Sequence, residues 1–237
     1  MAIPASVTLY VRWTNGQPLS GTTYTAVAPD VPVGHTYTFN NSASLAVEAG
    51  SPWNGQYLAQ LDTGTRFLSS TVSSSTVQAT SGRILIEVAP LTVSTGLNEN
   101  YFRLYATTSN NGEVRVRNST TDTVNVLGYW SGGNQVNVSL GAEPSNPFNV
   151  EIIYDTNNAT ASLRMRARMW EIGSSVPSFT DIGAGSVQNT TDQFTTVEYG
   201  DGGGAAGLKA NRLIISNDIT EDLSAVTESS TNAYAFQ

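Results

Sequence analysis

Apolar and polar residues alternate with a period of two along much of this chain. The longest such run lies between Asn146 and Phe179. Val150, Ile152 and Tyr154 fall on one face of an extended segment, and Glu151, Ile153 and Asp155 on the other. After the polar stretch Thr156-Asn157-Asn158-Ala159-Thr160, Leu163, Met165, Ala167 and Met169 share one face while Arg164, Arg166, Arg168 and Trp170 share the opposite one. Period-two alternation is the signature of a half-buried antiparallel strand, and a helix would scatter the arginines around its circumference. Asn and Thr bond their own backbone and tolerate turn geometry, so the polar stretch predicts a hairpin turn.

The same pattern predicts further strands at Val7–Trp13, His35–Phe39, Ser44–Val47, Gln56–Leu61, Arg83–Ala89, Tyr101–Thr107, Glu113–Asn118, Thr123–Tyr129, Gln135–Leu140, Phe194–Tyr199 and Asn211–Asn217. Asn15-Gly16 and Asn110-Asn111-Gly112 are strong turn signals between them. No window of helical length shows a 3.6-residue period. Many short strands separated by Gly and Asn turns predict an all-β, antiparallel two-sheet jelly-roll sandwich. The expected organisation is a jelly-roll domain over 56–220. Residues 1–55 form an N-terminal arm or part of the same sandwich, and 221–237 form a tail or docking arm. The low-complexity stretch Ser69–Gly82 reads as a loop, an edge strand or a divide.

Composition narrows the function. The 237 residues are 39 % hydrophobic, enough for a core, but only 13 % charged, with a net charge of −8. That share of charge is about half the usual one, and Lys209 is the sole lysine. Affinity for nucleic acid comes from Lys and Arg displacing phosphate counterions, so this balance argues against DNA or RNA and against an anionic membrane surface. There is no cysteine, which removes disulfides and thiolate metal sites. The opening residues lack the basic and apolar regions of a signal peptide, and no segment has the roughly 20 apolar residues that cross a bilayer. The chain is expected to be made in the cytoplasm and to reach the outside by another route or within a particle. The five Asn-X-Ser/Thr sequons are expected by chance in so Asn- and Thr-rich a chain.

Leu163, Arg164, Arg166, Arg168 and Trp170, followed by Gly173, Pro177 and Phe179, resemble the concanavalin A-like lectin and laminin G-like jelly-roll superfamily, in the versions found in bacteriophage virion proteins. The strand Phe102–Ala106 with its polar hairpin, and the strand Leu213–Asp218 with its acidic end, extend the likeness over roughly Gln56–Asp218. The resemblance implies a concanavalin A-like sandwich. It fixes no single function, because the superfamily hosts lectins, lyases, hydrolases and inert modules.

Catalytic groups are sparse. A retaining glycosidase needs two carboxylates about 5 Å apart. Glu87 is the sole carboxylate of its strand, and Glu151 and Asp155 are four residues apart, roughly 13 Å at 3.3 Å per residue. Polysaccharide lyases of this fold use His and Tyr with Arg and Gln; the sole histidine is His35, in VPVGHTYTF. No cofactor is expected, calcium being the one ion with candidate ligands at Asn217-Asp218, Glu221-Asp222 and Asp201. The arginine row is expected to pair with Glu151 and Asp155 across the hairpin. Its sharper alternative is that Arg164, Arg166, Arg168 and Trp170 contact an acidic partner or an anionic glycan. Trp13, Trp53 and Trp130 sit beside Gly turns, where aromatics pack turns or stack on sugars and partners; Trp53 and Trp130 are the candidate contacts.

The expected function is a non-enzymatic structural protein of a bacteriophage virion: capsid decoration, head-fibre or tail-associated. Its partners would be major capsid or tail proteins, and it would be a homo-oligomer such as a trimer to match particle symmetry. The alternative is a carbohydrate-binding, lectin-like module for host attachment. A polysaccharide-degrading enzyme ranks behind both.

Overall fold

The run RILIEVA is apolar on one face and mixed on the other. In the computed structural model it forms the centre of a sheet buried on both sides. Residues 3–12, 23–26, 31–39, 45–50, 53, 55–60, 68–91, 99–106, 112–130, 134–183, 187, 193–200 and 208–226 are described. Within them sixteen strands follow in order: β1 (Val7–Arg12), β2 (Thr23–Thr25), β3 (Thr36–Phe39), β4 (Leu45–Gly50), β5 (Gly55–Gln60), β6 (Leu68–Thr71), β7 (Ser81–Ala89), β8 (Glu99–Tyr105), β9 (Glu113–Asn118), β10 (Thr123–Trp130), β11 (Asn134–Ala142), β12 (Phe148–Asp155), β13 (Met165–Glu171), β14 (Thr180–Asp181), β15 (Thr196–Tyr199) and β16 (Lys209–Ser216).

They form two eight-stranded antiparallel sheets, a jelly-roll sandwich. The back sheet runs β14-β13-β12-β7-β16-β5-β4, and β1 also pairs with β16. The front sheet runs β11-β10-β9-β8-β15-β6-β3-β2. One edge of β16 is shared: β5 pairs at Lys209 and Ala210, and β1 pairs from Arg212 to Ser216. The first 55 residues thus give β1 and β4 to the back sheet and β2 and β3 to the front sheet. The stretch expected as a loop, an edge strand or a divide, Ser69–Gly82, holds the end of β6, a turn and the start of β7, and β6 lies inside the front sheet between β15 and β3.

The core lies between the sheets. Ile84, Ile86, Val150, Ile152, Leu213 and Ile215 from the back meet Phe102, Leu104, Val114, Val116, Val126 and Val197 from the front. Fully burying each such side chain stabilises the fold by about 1.5–3 kcal/mol. Aromatic rings bridge the layers edge to face: Tyr101 to Phe148 at 5.6 Å and Tyr154 to Phe194 at 5.8 Å. Tyr154 lies across Gly82, its register partner, so closely that a Cβ there would strike the phenol ring.

The hairpin at β12–β13 has the expected register, with Glu151 opposite Arg168 and Ile153 opposite Arg166. The turn is longer than the sequence pattern implies. A 3-10 turn, Ala161–Arg164, follows the polar stretch, and the Asn158 side chain accepts from the Thr160 backbone N–H at 3.0 Å. Leu163 and Arg164 therefore belong to the turn, and the strand begins at Met165. At the far end, Gly173 adopts a φ of 89°, which lets the chain reverse after Trp170-Glu171-Ile172.

Candidate functional site

The back sheet's outer face carries the arginines, and the chain covers it with its own residues. Glu151, fully buried, accepts from Arg83 Nε at 2.6 Å and from Arg168 Nε at 2.7 Å. Asp222, from the segment after β16, reaches both guanidinium groups at 3.4 Å. Phe179 lies 4.2 Å from the Arg168 guanidinium carbon and 5.7 Å from that of Arg166, and the Pro177 carbonyl accepts from Arg168 at 3.2 Å. Leu223 and Val226 close an apolar cluster with Val7, Tyr10, Leu85, Trp170 and Ile214.

The expected cross-strand pairing thus holds at Arg168 and Glu151. Asp155 instead accepts from Asn158, and Arg164 leaves the row to donate to the Asn158 and Val187 carbonyls at 2.9 Å. Trp170 is 8 % exposed and Trp53 3 % exposed, Trp53 packing with Ala89 and Ile172. Trp130 lies at the end of β10, and its side chain, like Trp13, Asp201 and residues 227–237, lies outside the described residues. The candidate calcium ligands are engaged locally: Asp218 accepts from Thr220, Asp222 from Ser224, and Glu221 from Ser6 at 2.6 Å. Among the described residues no three His, Asp or Glu side chains gather to hold a metal. Glu87 is held by Arg212 and, at 2.7 Å, by Asn211.

The front sheet's outer face is different. Cross-strand partners share a face, and the register lines up two rows. The first runs Arg115, Arg103, Glu198, Ser69, Thr38 and Thr23. The second runs Glu113, Tyr105, Thr196 and Thr71. The face therefore changes character across the sheet, from a charged half on β8, β9 and β15 to a hydroxyl half on β6, β3 and β2.

In the charged half Glu113 accepts from Arg103 Nε at 2.9 Å and from Arg115 Nε. Glu198 accepts from the Tyr105 hydroxyl and lies 3.5 Å from Arg103. The Arg103 guanidinium carbon stands 4.6 Å from the centre of the Tyr105 ring. Burial alone would raise the Glu113 carboxyl, but the hydrogen bonds and charges of Arg115 and Arg103 outweigh it and hold the group below its ordinary value. Burial and then the Glu198 hydrogen bond push Tyr105 up to about 12. Tyr105 is therefore a protonated donor at neutral pH, and the two arginines and two carboxylates balance in charge.

In the hydroxyl half His35, Thr36, Thr38, Ser69, Ser70, Thr71 and Thr196 line an open groove of about 520 Å³, within the roughly 300–1,000 Å³ of small-ligand sites. Ser70 donates to the Thr36 carbonyl at 2.8 Å and lies 2.6 Å from His35 Nε2. The hydroxyl has one proton, so with that proton on Thr36 the hydrogen between Ser70 and His35 belongs to the imidazole. His35 packs edge-on against Tyr37 at 4.9 Å, and burial holds it below its ordinary value, hence neutral at neutral pH. Sequence reasoning missed this groove. One of its strands is the Thr-X-Thr segment Thr36-Tyr37-Thr38, whose alternation was the available signal.

No family model matches the chain, and no curated protein does. Solved structures of similar fold exist. The binding domain of botulinum neurotoxin DC in complex with SialylT aligns with a TM-score of 0.61 at 9 % identity, over 93 % of this chain and 50 % of that one. The Trypanosoma rangeli sialidase aligns with a TM-score of 0.59 at 8 % identity, over 93 % and 32 %. A structure of botulinum neurotoxin type C, whose cell entry is described as dependent upon interaction with two ganglioside molecules, gives 0.60 at 9 %, over 93 % and 49 %. The chain spans about half the length of the toxin domains and about a third of the sialidase. At such identities the similarity is one of fold.

Proposed function

We propose that this chain is a non-enzymatic, lectin-like β-sandwich module that binds glycan on the outer face of its front sheet. The observation that carries this reading is the groove between His35 and Thr196, a concave array of hydroxyls on the outer face of the front sheet. Hydroxyls that both donate and accept suit the alternating donors and acceptors of a sugar. The similar folds found in a sialidase and in a toxin domain in complex with SialylT support a glycan partner.

A glycan array probed with the full-length chain tests the reading. Saturable binding to one glycan class, lost when Thr196 is replaced by a bulky Phe, is the expected result. Uniform background signal, or release of free sugar from the bound glycans, would overturn it.

The likeness of the Leu163–Phe179 segment to virion jelly rolls supports a second reading, a structural part of a phage particle with capsid or tail partners. Co-purification with intact particles at fixed copy number, with a blank glycan array, would favour that role.

A further inference from the structure

We infer that the groove on the front sheet selects uncharged, polyhydroxylic sugar units and rejects acidic ones such as sialylated or sulfated glycans. The inference rests on the glycan-binding reading and narrows its ligand class.

Among the described residues the groove's lining is neutral. Five hydroxyl side chains, of Thr36, Thr38, Ser69, Thr71 and Thr196, face a ligand, backed by Ser70 and His35. The hydroxyls carry no charge, and His35 is neutral because burial disfavours its cation. The first charge met along the first row is negative: Glu198, the register partner of Ser69. The cations lie beyond it. Arg103, opposite Glu198 on β8, is shared between Glu113 and Glu198. Arg115 is one strand further and is held by Glu113. Arg117, also on β9, stands three strands from Ser69, roughly 14 Å at about 4.8 Å per strand.

Among the described residues, an acidic sugar in the groove would therefore lie beside a carboxylate, with every nearby guanidinium already committed to a carboxylate. Recruiting Arg103 would strip Glu113 and Glu198 of a partner, and uncovering a buried carboxylate is costly. The net charge of −8 adds long-range repulsion. A neutral sugar meets none of these terms. Its hydroxyls replace water on the Thr and Ser side chains, and Tyr105, the register partner of Thr196, supplies an aromatic border.

Isothermal titration separates the possibilities. The full-length chain is titrated with neutral oligosaccharides of hexose and N-acetylhexosamine and with their sialylated counterparts, at 50 and 500 mM NaCl. The expected result is binding to a neutral series at least tenfold tighter than to its sialylated partner, unchanged by salt. Thr38→Val and Thr71→Val, isosteric changes at exposed positions, should each weaken it at least fivefold with an unchanged melting temperature. Tighter binding to the sialylated series, weakening with salt, would overturn this inference and leave the glycan-binding reading intact. Absence of binding to either series would overturn both.

Discussion

At the residue scale, single side chains matter here through burial and charge. Glu143 follows β11, and its carboxylate accepts from the Leu91 N–H at 2.9 Å. Burial, with a smaller contribution from Glu99, pushes its carboxyl up to about 7 from an ordinary 4.5. The folded state thus favours the protonated acid. This contribution to stability is complete below about pH 4.5 and is lost as the pH rises through 7. Glu143→Gln should therefore stabilise the protein at pH 8 relative to pH 5, by about 1 kcal/mol once solvent screening is allowed for. Denaturant midpoints of both proteins at the two pH values check this; parallel shifts would contradict it. Gly82 is a steric case. A methyl group there would meet the Tyr154 ring, whose hydroxyl is tied to the Gln78 carbonyl at 2.7 Å. Gly82→Ala should cost about 1–3 kcal/mol in urea unfolding, whereas a neutral outcome would show that the phenol can move aside.

At the element scale, β7 and β12 show why a mixed strand face can be interior. Their outer residues Arg83 and Glu151 are buried because the segment 218–226 and Phe179 lie over them. The hairpin's alternation was legible in the sequence, since period two fixes which residues share a face. The cover was not, since Asp222 and Arg83 are 139 residues apart and no local pattern links them. The strand start at Met165 was also hidden, because the polar residues before it suit a strand or a turn alike. The short strands β2 and β14 escaped, and β6 was legible only as one reading among three, for a related reason: segments of two to four residues carry too few apolar positions to show a period. The two carboxylates around Arg83 should behave differently. Glu151→Gln leaves two buried guanidinium groups without their shared anion and should cost about 3–5 kcal/mol. Asp222→Asn, whose side chain is 60 % exposed, should cost no more than about 1 kcal/mol. Urea midpoints decide it, and equal effects would mean that the bridge to Asp222 is as important as the buried pair.

At the scale of the whole molecule, the two sheets divide the labour. The back sheet is closed by the segments 3–7 and 218–226: Ser6 and Glu221 bond to each other, and Val7 and Leu223 share one apolar cluster. The front sheet keeps an outer face of paired charges and hydroxyls. The sandwich itself was legible from strand number and turn chemistry. The groove was not, because the sequence draws the eye to rare residues, the arginine row and the tryptophans. The structure places Arg168, Trp170 and Trp53 in packing roles and assembles the groove from common threonines on β3, β6 and β15, which only sheet order brings together. The central claim is that this face, rather than the arginine face, meets a glycan. Backbone NMR with a titrated neutral oligosaccharide tests it most directly. The account predicts shift changes concentrated at Thr36–Thr38, Ser69–Thr71 and Thr196, with the back sheet silent. Changes centred on Arg166–Trp170, or none at saturating sugar, would contradict it.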